Sequence, residues 1–208
     1  MMKIAVFVSG GGTNLQAIID NTKTGILKDI EIVKVVSSSP DAYALTRAAD
    51  NGIPAVVLRA RDYASREEWD QKVVEEVTSS GAELIVLAGY LSLLGPEIVK
   101  AYSNRIINIH PALIPSFCGE GMYGIRPHRA ALARGVKVSG ATVHFVNENY
   151  DEGPILLQKS VDVLPGDTPE TLQKRIMQNC EWEILPKAIR LIADGKVVIE
   201  NNIARITE

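Results

Sequence analysis

The chain has 208 residues, a formal net charge of −3 and 46% hydrophobic residues, enough length for one domain with a sizeable core. No lysine or arginine cluster forms a stripe and no apolar run reaches membrane-spanning length, which argues against a nucleic-acid footprint and a membrane span. The two cysteines, Cys118 and Cys180, stand far apart in no metal-ligand spacing, so free thiols in a reducing compartment are expected. The N-terminal MMKIAVFVSGGG runs from a short apolar core into glycine with no small-residue cleavage site. It reads as a first strand rather than a signal peptide, and a soluble cytoplasmic protein is the expectation.

Residues 3–8 form a continuous apolar run, the pattern of a strand buried on both faces. Ser9-Gly10-Gly11-Gly12-Thr13-Asn14 follows, and Leu15-Gln16-Ala17-Ile18-Ile19 then starts a helix. Unpaired N–H groups at such a helix start carry partial positive charge and suit a phosphate. The dinucleotide fingerprint would need a third glycine where Leu15 stands and an acid ending the second strand, 30–36, which is followed instead by Ser37-Ser38-Ser39-Pro40. The nucleotide-triphosphate loop would need Gly-Lys where Leu15-Gln16 stand. Both fingerprints fail, so a single phosphate monoester is the expected ligand. The competing reading is a plain glycine turn with Thr13 or Asn14 as helix N-cap.

Residues 42–51 read as a helix stopped by Gly52, and 55–58 as a third short strand. Residues 66–79 form an amphipathic helix, with Trp69, Val73, Val74 and Val77 on one face and Glu67, Asp70, Lys72 and Glu75 largely off it. Ser65 is its expected cap, Glu68 completes a capping box, and Gly81 ends it. Residues 84–90 are a fourth buried strand; strand and helix alternating in this rhythm mean βαβ units and a mostly parallel sheet. Tyr90-Leu91-Ser92-Leu93-Leu94-Gly95-Pro96 leaves that strand as an apolar loop, either core packing or the wall of a pocket for a flat heterocycle. Pro96 opens a short helix that ends near Tyr102.

The stretch RIINIHPALIPS, 105–116, contains a fifth strand. Ile106, Ile107 and Ile109 read as buried, while Asn108 and His110 leave one face together. Pro111 then ends the ladder. A polar pair at the carboxyl end of a buried strand is where open α/β sheets bind ligands; a satisfied core histidine beside a turn asparagine is the competing reading. Three glycines in 117–127 mark a loop with little structure of its own. Residues 128–133 form a helix closed by Gly135, and 140–146 a sixth strand on which His144 shares a face with Thr142 and Val146. Taken alone, His144 reads first as a hydrogen-bonded core group. A polar loop with a Gly-Pro brake, 147–154, leads to a seventh strand at 155–163.

Pro165-Gly166-Asp167-Thr168-Pro169 opens a last long helix, to about Ala193, with an apolar seam through Leu172, Ile176, Ile184, Leu185, Ala188 and Ile192. Glu181 points along that seam, where a carboxylate needs a cation or donors unless the rim is solvated. A hairpin around Asn201-Asn202 closes the chain. There is no internal repeat and no linker, so one domain is expected.

SGGGTNLQAI near the start, the N-I-H-P stretch, GATVHFV and Asp151-Glu152-Gly153-Pro154, with the spacing between them, resemble the phosphoribosylglycinamide formyltransferases over essentially the whole chain. The resemblance implies a single-domain, Rossmann-like α/β fold with a mostly parallel seven-stranded sheet flanked by helices. It implies formyl transfer from 10-formyltetrahydrofolate, as co-substrate, to the amine of 5'-phosphoribosylglycinamide in purine biosynthesis, with no metal. N-x-H with a downstream H-F-V and D-x-G-P marks formyltransferases that use this folate. The SGGGTNL loop points to the ribonucleotide member, as does a length without the extra domains of relatives acting on tRNA or hydrolysing the folate.

Residue by residue, the resemblance implies that Gly12, Thr13 and Asn14 hold the ribose phosphate and that Glu181 lies near the substrate's glycine amine. Asn108, His110 and Asp151 are the implied catalytic trio. Arg66, Leu91, Ser92, Leu93, Leu94 and Asn108 are the implied folate contacts, and loop 147–151 helps line the pterin slot. His144 supports Asp151. Within one domain, 1–208, the N-terminal half would bind the ribonucleotide phosphate, and the C-terminal half would carry the folate site and catalytic residues. Partners would be small molecules only, with no nucleic acid or membrane, and the protein a monomer or homodimer. The loop 117–127 is a few residues longer than in shorter family members, so folate contacts are not carried over to it.

In that chemistry a developing oxyanion needs preorganised donors, which the Asn108 amide and a protonated His110 can supply. Asp151 can raise or orient His110 and, through a water, move the amine's proton. Nothing around Cys118 suggests an activated thiolate. Formyl transfer to another amine, hydrolysis of the formyl-folate and a non-catalytic phosphate-binding module are the other readings.

Overall fold

A computed structural model describes residues 1–207. Strand β1 (Met2–Val8) is buried from Ile4 to Val8 because it has parallel neighbours on both sides. These are β2 (Ile30–Ser37) and β4 (Leu84–Leu87), and β2 pairs in turn with β3 (Ala55–Val57). Adding β5 (Ile106–His110), β6 (Val138–Phe145) and β7 (Ile155–Asp162) gives a seven-stranded sheet in the order β3-β2-β1-β4-β5-β6-β7. At the edge of this sheet β7 runs against its neighbour, pairing with β6 antiparallel. Its side chains alternate in burial, as the sequence pattern implied. The expected fold class holds. The chain divides into two compact units, Met1–Ile107 and a second from Asn108 onward.

In the first unit the helices are α1 (Thr13–Thr24), α2 (Tyr43–Asp50), α3 (Arg66–Ser79) and the short α4 (Pro96–Ala101). The strand order reverses between β1 and β4, and ligand crevices of doubly wound sheets open at the carboxyl ends of such strands. Ser9, just past β1, stitches that edge: its Oγ accepts from Leu91 N at 2.8 Å and lies 2.6 Å from Ser38 Oγ, just past β2.

Helix α3 has its expected bounds and cap, with Ser65 Oγ accepting from Glu68 N at 3.1 Å. The Glu68 carboxylate reaches Ala64 N at 3.0 Å, one residue earlier than a capping box closes. Asp70 overturns its expected place off the apolar face. It is 1% exposed, and its carboxylate accepts from Glu97 N at 2.8 Å and Ile98 N at 3.3 Å. It satisfies the orphan donors at the start of α4, where Gly95 offers no side-chain cap. A Cβ at Gly95 would collide with that carboxylate.

In the second unit, α5 (Arg126–Arg134) ends at Gly135 in the left-handed region. The expected long last helix is interrupted: α6 (Pro169–Ile176) passes into a π turn at Met177–Glu181, then α7 (Trp182–Ala193). Pro186 inside α7 has no N–H for the carbonyl of Trp182, so the ladder is already one bond short where the π turn ends. Strands β8 (Val197–Glu200) and β9 (Ile203–Ile206) form the expected hairpin, with Asn201 and Asn202 at φ 50° and 61°, as a type I′ turn requires.

Asp70→Ala should lower the unfolding free energy by about 1–3 kcal/mol, since two helix-start donors lose their acceptor. Glu75→Ala, at the exposed pair with Lys72, should change it by less than about 0.5 kcal/mol. Urea unfolding of both variants checks this; equal effects would deny Asp70 its capping role.

Candidate active site

In the second unit three chain segments converge on one carboxylate. Strand β5 delivers Asn108 and His110 from one face, as its alternation predicted. Strand β6 delivers His144 near its carboxyl end. Asp151 follows on a turn, at φ 54°, a left-handed conformation that aspartate tolerates better than most residues. The turn is pinned from behind. Phe145 N donates to Pro154 O at 2.8 Å, and a Cβ at Gly153 would run into the Phe145 carbonyl. The Asp-x-Gly-Pro pattern thus packs backbone against the end of β6 and leaves Asp151 beside His144.

The hydrogen bonds fix the ring nitrogens. His144 Nδ1 donates to the Phe145 carbonyl at 2.9 Å. Its Nε2 lies 3.1 Å from Asn108 Nδ2 and 3.4 Å from Asp151 Oδ1. His110 Nε2 donates to the Phe117 carbonyl at 2.9 Å, which leaves Nδ1 facing Asp151 Oδ2 at 3.7 Å. Gly119 N completes the shell, donating to Asp151 Oδ2 at 2.8 Å. The structure therefore brings the sequence-predicted trio together and makes His144 both a buried core group and the link between Asn108 and Asp151.

Electrostatics follow from burial. His110 is 4% exposed, and desolvation lowers its pKa despite the nearby Asp151 charge and the Phe117 carbonyl, which favour the proton. The expected protonated His110 is thus corrected for the ligand-free protein: the ring is neutral at neutral pH, with its proton on Nε2. Burial pushes Asp151 up, but the His144 and Gly119 hydrogen bonds and the two histidines outweigh it, so its carboxyl stays below the usual aspartate value. His128, 1% exposed on α5, is pushed down to about 4 by burial, with His110 a smaller cause, and brings no charge. The Cys118 thiol is raised, by burial first and then by Asp151 and Glu152, which bears out the expectation of no activated thiolate.

Two contributors escaped the sequence reading: the Phe117 carbonyl and the Gly119 N–H. Both come from the glycine-rich loop, which is tied to the trio at these two points. Phe117 itself sits at φ 53°, unusual for a bulky residue, and this turns its carbonyl to His110. Glu181 lies in the π turn, 8% exposed, beside the buried Cys180.

In the first unit the glycine turn ends on Gly12, at φ 68° and ψ 31°, which is the N-cap of α1, against the competing reading that gave this place to Thr13 or Asn14. A Cβ at Gly12 would lie 2.6 Å from that of Ala44, so only glycine fits. A left-handed residue followed by a helical one turns successive N–H groups inward as a nest, the backbone form of an anion site. Leu91 and Leu93 are 54% and 49% exposed, apolar side chains available to a ligand, while Leu94 is buried. Arg66 stacks over Trp69 at 4.2 Å and donates to the Leu93 carbonyl. Among the described residues no histidine, cysteine and carboxylate cluster could hold a metal.

Residues 2–189 match the family model described as formyl transferase. A crystal structure of glycinamide ribonucleotide transformylase 1 from Symbiobacterium toebii superposes with a TM-score of 0.94 at 44% identity, covering 100% of this chain and 95% of that one. The phosphoribosylglycinamide formyltransferase of Escherichia coli K12 is 38% identical over 203 residues, 98% of this chain and 92% of that protein. The chloroplastic enzyme of that name from Arabidopsis thaliana is 40% identical over 94% of this chain. The chain spans 66% of the Arabidopsis protein and 19% of a trifunctional purine biosynthetic protein of Gallus gallus that it also matches. With the family model covering nearly all of the chain, the protein belongs to the formyl transferase family.

Proposed function

We propose that the protein transfers a formyl group from 10-formyltetrahydrofolate to the amine of 5'-phosphoribosylglycinamide, a step of purine biosynthesis. The observation that carries this reading is the Asp151 carboxylate held within 3.4 Å of His144 and 3.7 Å of His110, with Asn108 on the same His144 nitrogen. Relatives that bear this activity by name match the chain almost end to end.

In the second unit, Asn108 Nδ2 and His110 Nε2 donate to the oxyanion that forms as the amine nitrogen bonds to the formyl carbon. His110 does so as a neutral imidazole; its N–H leaves the Phe117 carbonyl for the stronger, charged acceptor. Asp151, ionised and held by Gly119 and His144, accepts the amine's proton through a water. It returns that proton to the folate nitrogen as the old carbon–nitrogen bond breaks. Glu181 lies near the substrate's glycine amine and accepts a hydrogen bond from it. Loop 147–151 lines part of the pterin slot.

In the first unit, Gly12, Thr13 and Asn14 take the ribose phosphate. Leu91, Ser92, Leu93 and Leu94 contact the folate, with the exposed Leu91 and Leu93 side chains suited to a flat heterocycle. Arg66 offers its guanidinium to a folate carboxylate. The protein acts on small molecules in the cytoplasm, with no metal.

Steady-state assays with both substrates, followed through the folate absorbance change, test the reaction. Formyl consumption should require the ribonucleotide; consumption without it would instead favour hydrolysis. Asp151→Asn should leave the thermal midpoint within a few degrees and lower kcat at least about a hundredfold. The same substitution should move the His110 pKa still further down, because it removes the charge that favours the imidazolium. An NMR titration of the His110 ring protons in both proteins reads this, and an upward move would contradict the assigned contact.

A further inference from the structure

We infer that Arg47, on α2, is the positioning residue of the phosphate-binding turn. The inference rests on the reading of that turn as a monoester site. Three successive carbonyls of the turn have assigned donors. Gly10 O accepts from Ala44 N at 3.1 Å, Gly11 O from Arg47 Nε at 2.9 Å, and Gly12 O from Gln16 N at 2.9 Å. A peptide group is planar and trans, so its N–H points opposite its C=O. Pulling the Gly10 and Gly11 carbonyls onto α2 therefore aims the N–H groups of Gly11 and Gly12 away from α2. On the turn itself, a Cβ at Gly10 or Gly11 would meet nothing within 4 Å, so the chain is open there, in contrast to Gly12.

Among these three donors Arg47 supplies a side chain, and it is itself held on three sides. Its Nη1 donates to Gln16 Oε1 at 2.8 Å, on the first turn of α1, while Gln16 Nε2 donates to Asp20 at 2.8 Å. Its guanidinium lies 5.0 Å from the centre of the Tyr43 ring, and its Cδ is within 3.3 Å of where a Gly12 Cβ would be. The fork spans two acceptors, one on the turn and one on the helix, and so fixes the angle between them. It also sets a full positive charge against the helix start that would receive a dianion. A lysine would keep the charge but lose the fork, because its single ammonium does not reproduce the planar guanidinium's bridge between the two acceptors.

The test uses Arg47→Met and Arg47→Lys in the full chain. Arg47→Met should raise KM for the ribonucleotide about tenfold or more, with KM for the folate within about twofold. Arg47→Lys should recover only part of that loss. A merely structural arginine would move both KM values and the thermal midpoint together, and that result overturns the inference. Amide NMR shifts of Gly11 and Gly12, titrated with ribose 5-phosphate, separate the two readings. If those amides do not respond in the unsubstituted protein, the phosphate site itself is wrong and the inference falls with it. If they respond, and respond equally in Arg47→Met, the site stands and the role of Arg47 is refuted.

Discussion

The second unit depends on keeping one carboxylate ionised where water is scarce. Asp151 is shielded from solvent, which by itself would favour its neutral form. Hydrogen bonds reverse that preference, from the His144 ring at 3.4 Å and the Gly119 amide at 2.8 Å. Each comes from a different segment. The two histidines are in turn oriented by backbone carbonyls, Phe117 for His110 and Phe145 for His144. Side chains with several rotamers are thereby fixed by groups that cannot rotate away.

The same economy of backbone against side chain governs the glycine turn. There the Gly10 and Gly11 carbonyls are held from α2, by the Ala44 amide and the Arg47 guanidinium. Gly12 must be glycine for two separate reasons: its left-handed φ and the Ala44 methyl against it. Ser9 and Ser38 join the strand ends beside it, so the loop after β4 and the turn after β1 share a hydrogen-bonded rim. Preorganisation of this sort lowers the ordering cost of binding.

Burial also explains why the charge on His110 differs from the sequence-based expectation. A histidine near an aspartate is usually taken as protonated. Here desolvation outweighs that attraction, because the ring is enclosed while the carboxylate sits 3.7 Å away rather than in hydrogen-bond contact. A neutral imidazole still carries one N–H, here on Nε2 and donated to the Phe117 carbonyl.

Much of this was legible in the residues alone. Continuous apolar runs identified the buried strands, and glycine and serine marked the ends of α3 and α5. The alternation of Asn108 and His110 put both on one face. These are local properties, set by pleat, helical period and covalent geometry. The sequence did not show that Asp70 serves a different helix, that the last helix carries a π turn, or that Phe117 and Gly119 complete the site. It did not set the protonation of His110 either. Each of those depends on neighbours far away in sequence, and on how much water they exclude, which only the packed tertiary structure decides.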